Sequence, residues 1–219
     1  VIRLGAAALS VAFDHEVPQL VIAGDSRITV AAGKALTVTG LLDWSAGLIA
    51  RDGRLIIAPG GVANLTTASG KFLDGVFENR GTTNYTGTQF LFGRDAGNLP
   101  ARIENAAGGT FIVDGEGDFS QNFGSATYRI DNAGTFIKRG AGTTTVVNSP
   151  ISFNNTGSVV LEAGALSLNA SGSLGGTFDL TGSNDLRLNS GTYTLQPGVL
   201  LPVIRLGAAA LSVAFDHEV

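Results

Sequence analysis

The chain has 219 residues, a net charge of −4 and no basic block, which argues against nucleic acid, whose binding rests on clustered Lys and Arg. Hydrophobic residues make up 44%, too many for a disordered chain, and the absence of Cys excludes a disulfide framework and a thiolate metal site. Gly is abundant at 31 residues while charged residues are only 15%, a balance that suits many tight turns between short strands.

Residues 1–17 read VIRLGAAALSVAFDHEV, and residues 203–219 repeat them letter for letter. Leu4 to Phe13 has the look of a signal-peptide core, but its recurrence near the other end argues against that reading. Three origins fit the doubling: a tandem array with a 202-residue period, an engineered duplication, or a piece cut from a longer polymer. The alternation of Leu9, Val11 and Phe13 predicts a strand, with a capping helix as the alternative.

From Gln19 onward short apolar runs, each closed by Gly or Pro-Gly, predict strands and turns: QLVIAG, SRITVAAG, ALTVTG, RLIIAPGG and ANLTTASG. Residues 41–49 and 72–92 are less regular, and the latter carry Phe72, Phe77, Tyr85, Phe90 and Phe92. Residues 93–100 read as a loop. A unit then recurs from Phe77, Ile103, Ile130 and Phe153, each apolar start followed by a polar residue and Asn, with Gly soon after. Steps of 26, 27 and 23 residues indicate stacked supersecondary units. Three short strands plus turns fill one coil of a parallel β-helix.

The expectation is therefore an all-β chain, residues 1–219 forming one β-solenoid domain of roughly 8 coils and about 40 Å in height. Phe77, Ile103, Ile130 and Phe153 would stack in one column, and Phe111, Phe136 and Val159 in another. Asn79, Asn105, Asn132 and Asn155 would form a structural ladder at a corner; the alternative is that Asn-x-Gly is simply a good turn sequence.

GTFIKRGAGTTTVV followed by FNNTGSVVLEAGALSLNASG resembles the autotransporter-associated β-strand repeat of bacterial surface proteins. The match covers Gly134 to Ala170 well, Ile103 to Gly117 in part, and little before Phe77. The resemblance implies a right-handed parallel β-helix outside the cell, in adhesins and passenger domains. No series of amphipathic strands with aromatic girdles marks a membrane barrel, and no membrane insertion by this segment is expected.

Candidate chemistry is sparse. Asp114, Glu116 and Asp118 alternate in VDGEGDF, so an extended strand would put all three on one face to hold Ca²⁺ or work as acid and base. The competing reading is a solvated turn, supported by Gly115 and Gly117. Asp14, His15 and Glu16, with Asp216, His217 and Glu218, read as polar loops before they read as a metal site. Trp44 is expected to pack inside, with sugar stacking as its alternative. Arg102, Arg129, Lys138 and Arg139 look like a charged outer surface. No cofactor is expected, and no enzyme.

The doubled ends point to self-association through Val1, Leu9, Val11, Phe13, Val203, Leu211, Val213 and Phe215. The function expected is a structural or adhesive repeat of an extracellular bacterial surface protein or filament, assembling head to tail. A host surface or a glycan stands as a further partner. The alternatives are a closed strand-exchanged dimer in association, and a polysaccharide-binding or polysaccharide-cleaving β-helix in function.

Overall fold

The computed structural model describes residues 1–50, 53–95, 99–181 and 184–213. Short stretches with apolar residues at every second position become strands, because extended backbone turns successive side chains to opposite sides. Val62–Leu65, Thr82–Tyr85, Thr144–Val147, Ser158–Leu161 and Asp185–Leu188 all alternate between half-buried and buried residues. Gly or small polar residues end each stretch, so the chain bends and the next strand begins a new face.

Three faces result. The first carries Arg54–Ile57, Val76–Asn79, Ala101–Asn105, Tyr128–Asn132, Ser152–Asn155, Gly172–Leu174, Thr192–Leu195 and Ala210–Val213. The second carries Ile2–Leu4, Val62–Leu65, Thr82–Tyr85, Thr110–Asp114, Thr135–Arg139, Ser158–Leu161 and Thr177–Leu180. His15–Ile22 and Ala35–Trp44 each turn the corner between these two faces, which join as one 17-stranded sheet. The third face is a 10-stranded sheet running from Ala8–Val11 to Ile204–Leu206. Every strand pairs in parallel with its equivalent in the next coil, as in Phe77 beside Ile103, Ile130 beside Phe153, and Phe111 beside Phe136. The described chain is thus a β-solenoid, and Val1 to Val17 enters it as strands, not as a capping helix.

Ten third-face strands mean ten coils, more than the 8 expected from a 23–27 residue step. The long steps belong to the middle only. On the first face Leu36, Leu55 and Phe77 follow one another at 19 and 22 residues, and Phe153, Gly172, Tyr193 and Leu211 at 19, 21 and 18. The extra residues of the middle coils fall between a third-face strand and the next first-face strand, after Phe92 and before Ala101 and after Gln121 and before Tyr128.

The interior is a row of stacked columns. Leu36, Leu55, Phe77, Ile103, Ile130 and Phe153 are all 0–1% exposed. Trp44 packs edge-on to Phe90 at 5.4 Å, and Phe111 stacks on Phe136 at 5.7 Å with planes 5° apart. Full burial of such rings is worth about 1.5–3 kcal/mol each, so the core is held coil by coil. The less regular stretches join this scheme: residues 41–44, 47–50, 71–73 and 89–92 are ordinary strands, and of the five aromatic residues there only Phe72 points outward.

Asn79, Asn105, Asn132 and Asn155 point into the coil and are 0–1% exposed. The first three side-chain amides each donate to the next Asn oxygen, at 2.8, 2.7 and 2.6 Å up the column. Each also donates to a backbone carbonyl beyond the corner, including Thr110, Thr135 and Ser158 at 2.9–3.0 Å. The Gly that follows has a separate cause. A Cβ on Gly109 would lie 2.4 Å from the Asn79 backbone oxygen, and one on Gly157 2.1 Å from the Gly134 backbone oxygen. Asn-x-Gly and its longer form in the second unit therefore encode an inward amide and a corner with no room for a side chain.

Candidate functional site

A polar arrangement that holds a cleft lies where the third face meets the residues just after Phe92. Asp74 follows the third-face strand Lys71–Leu73 and is 2% exposed. Its carboxylate accepts the backbone N–H groups of Arg94 and Asp95, at 2.6 and 2.9 Å. Burial pushes the Asp74 carboxyl up, and those two N–H bonds draw it back. The loop so pinned lays Asp95 against the Arg27 guanidinium in a two-point ion pair. It also sets the Arg94 guanidinium 4.5 Å over the Phe72 ring, with Asp25 at 3.6 Å. A cavity of about 230 Å³ opens beside it, floored by Gly24, Gly47 and Gly70. Such a cleft offers a cation, an aromatic face and a flat backbone floor to a ligand.

A charged network covers the first face. Arg54 donates to Glu78 at 2.6 Å and to Glu104, and Arg102 also donates to Glu104. Burial raises the Glu104 carboxyl, but the two guanidinium groups outweigh it and hold it below the usual range. One coil on, Arg129 donates to Asp131 at 2.6 Å. Arg102 and Arg129 are register partners, so the expected outward column exists and each member carries its own acid.

Lys138 does not belong to that surface. It is 0% exposed and points inward, on the same side of its strand as Phe136. Its ammonium donates to the Gly115 carbonyl at 2.7 Å, to Thr143 Oγ1 at 2.8 Å and to the Arg139 carbonyl, which ties two corners together. Lys71, also 0% exposed, closes a single corner lower down, donating to the Thr67 and Ser69 carbonyls at 3.1 and 3.0 Å. The period-2 alternation of TFIKR and KFL carried this signal, since each Lys shares the parity of buried Phe136 or Leu73.

Burial lowers the Lys71 amine to about 8. The folded chain releases that proton near pH 8 and the unfolded chain near about 10.4. Between those values the unfolded state binds more protons, so stability rises with pH. Burial raises the phenols of Tyr85 and Tyr193, so above about pH 10 the unfolded state deprotonates first and stability falls again. Urea midpoints measured from pH 7 to 11 are expected to peak near pH 10, and the rising limb is expected to flatten in Lys71→Met. An unchanged limb in that variant would assign it elsewhere.

Asp114, Glu116 and Asp118 are not on one strand face. Thr110–Asp114 ends on the second face, Gly115 turns with φ +112°, and Asp118 begins a third-face strand. Asp118 accepts the Val146 N–H at 2.8 Å, a backbone role in the next coil. Among the described residues no group of three or more His, Asp and Glu is placed to hold a metal ion. Asp14 accepts the Ala35 N–H at 2.9 Å, and His15 meets the Phe13 ring edge-on at 5.9 Å. Asp216, His217, Glu218 and Phe215 lie outside the described residues. Trp44 is 0% exposed, so sugar stacking on it is excluded.

The doubled segment forms the two ends of the described coil. At the first end Val11 is 7% exposed, while Val1 and Phe13 are 69% and 64% exposed. An apolar cavity of about 170 Å³ opens there, lined by Ile2, Leu9, Val11, Phe13, His15 and Leu36. At the other end Leu200, Val203, Leu206, Leu211 and Val213 are all exposed, Val203 by 90%. Comparison with models of known families, with curated proteins and with solved structures finds no match to this chain.

Proposed function

We propose that this chain is a structural repeat of an extracellular bacterial surface protein or filament, and that it joins copies of itself head to tail. The observation that carries this reading is the apolar character of both end coils, built from one and the same segment. Parallel strands at a coil end present N–H and C=O groups in the same spacing that each coil already offers its neighbour. A second copy supplies both the strands and the apolar residues to cover them, and its open ends extend a filament where a two-fold contact would close.

Light scattering of the full chain across a concentration series is the test. Species growing with concentration are expected, and Leu211→Lys with Val213→Lys is expected to abolish the growth while leaving the circular dichroism of the coil unchanged. A monodisperse monomer at all concentrations would defeat the proposal. A discrete dimer that disappears when residues 203–219 are removed would point to closed strand exchange.

A second reading, binding of a polysaccharide, is favoured by the cleft under Arg94. Its aromatic face, cation and glycine floor suit a sugar ring bearing a carboxylate. Retention on immobilised acidic glycans, lost in Arg94→Ala and kept in Arg80→Ala, is the result that would support it. No cleavage of acidic or neutral glycans is expected. Cleavage abolished by Asp114→Asn with Glu116→Gln would overturn the non-enzymatic reading.

A further inference from the structure

Residues 1–11 and 203–213 are the same sequence on different faces. In the first copy Ile2–Leu4 lies on the second face, Ile2 beside Leu20, and Ala8–Val11 on the third, Leu9 beside Ile28. In the second copy Ile204–Leu206 lies on the third face, Ile204 beside Leu186, and Ala210–Val213 on the first, Leu211 beside Tyr193. The strand lengths and the corner between them are the same in both. The in-register pairing sets Ile204, Leu206, Leu211 and Val213 over inward residues as it does Ile2, Leu4, Leu9 and Val11, although the second copy's strands are open to solvent at the end of the coil. Only the face has moved.

The interval follows from the second-face ladder. Ile2, Leu20, Leu42, Ala63, Thr83, Phe111, Phe136, Val159 and Phe178 are successive partners, and Thr177 bridges to Leu200 one coil further. Leu200 is therefore nine turns above the first coil, and Ile204 stands one face beyond it. We infer that each 202-residue repeat advances the coil by nine turns and one face, so that the next repeat starts on a seat turned by a third of a revolution. This rests on reading the chain as a repeat unit.

Physical chemistry permits the shift because a seat demands only parity. Leu20 and Ile22, Ile28 and Val30, Leu186 and Leu188 are all inward apolar pairs, 0–1% exposed. A strand alternating apolar and polar residues satisfies any of these faces, whereas a slip of one residue would turn its apolar set outward. The joint is thus set by corner length and residue count, not by a face-specific side chain. In an array the Arg54–Glu78–Glu104 network and the Arg94 cleft would point in three directions, a third of a turn apart per repeat in addition to the twist between coils. Each repeat would add about 45 Å at ~4.8 Å per coil.

The absence of Cys makes thiol cross-linking a clean test. Two pairs distinguish the seats: Arg187→Cys with Arg205→Cys, which are register partners on the third face, and Asp179→Cys with Arg205→Cys, which would meet only if the second copy kept the second face as Arg3 does beside Val21. Both pairs are made in the 219-residue chain and in that chain carried on after Val219 by residues 18–219. A short bis-thiol reagent is expected to link 187 to 205 in both chains, and the longer chain is expected to be a single rod about 45 Å longer by small-angle scattering. Linking of 179 to 205 in a lengthened rod would overturn the face shift while keeping the repeat. A longer chain that forms two separate bodies, or no rod, would overturn the repeat reading itself.

Discussion

Asn132→Leu is expected to cost the fold about 3–5 kcal/mol in urea denaturation, because each buried polar group left without a partner costs roughly 1–3 kcal/mol. Leu has the same branched skeleton and is the bulkier of the two, so none of that loss is a cavity. The loss is electrostatic. Asn132 accepts from Asn105 at 2.7 Å and donates to Asn155 Oδ1 at 2.6 Å and the Ser158 carbonyl at 2.9 Å, all away from solvent. Its removal leaves a donor below and acceptors above without partners, in a medium where neither finds water. Asn154→Leu, one residue earlier than Asn155 and facing outward, loses a bond to Asp131 and one from the Ser173 N–H, both within reach of water, and should change stability by no more than about 1.5 kcal/mol. Equal losses in the two variants would remove the ladder from the account of stability.

Gly134→Ala is expected to destabilise by about 2–3 kcal/mol, the scale of forcing an extra carbon into a packed interior. A Cβ there would lie 2.2 Å from the Gly109 oxygen and 2.5 Å from the Ala106 oxygen, both backbone atoms of the coil below. Its φ is not positive, so the cost comes from space and not from backbone preference. Relief would require the coils to part at that corner, which stretches the Asn105–Asn132 contact alongside. Gly5→Ala is the matched control, since a Cβ on Gly5 meets nothing within 4 Å and its φ is not positive either. A change within about 0.5 kcal/mol is expected there. Thermal and urea unfolding of the two variants side by side measures the contrast, and a Gly134→Ala protein as stable as Gly5→Ala would defeat the corner explanation.

The alternation of apolar residues and the Gly-closed runs were enough to determine a parallel solenoid, its Phe and Ile columns, and the column of Asn residues, because each depends only on parity along a strand and on a repeated step. The same parity held the signal for Lys71 and Lys138, and the charge of Lys138 drew it to an outer surface that it does not occupy. Four matters were decided by the folded chain alone. The number of coils depended on corner lengths, which vary from coil to coil without a change in strand pattern, so a step measured between residues 77 and 153 underestimated the turns at either end. Asp114, Glu116 and Asp118 alternate in the sequence, but Gly115 bends the chain between them, and a strand rule does not hold across a corner. Gly5 and Gly134 are the same letter, and only the coil beneath distinguishes open space from a backbone oxygen. The face on which each copy of the doubled segment rests is of the same kind: parity states which residues point inward, while the running sum of all the corners before it states where around the axis that inward direction lies.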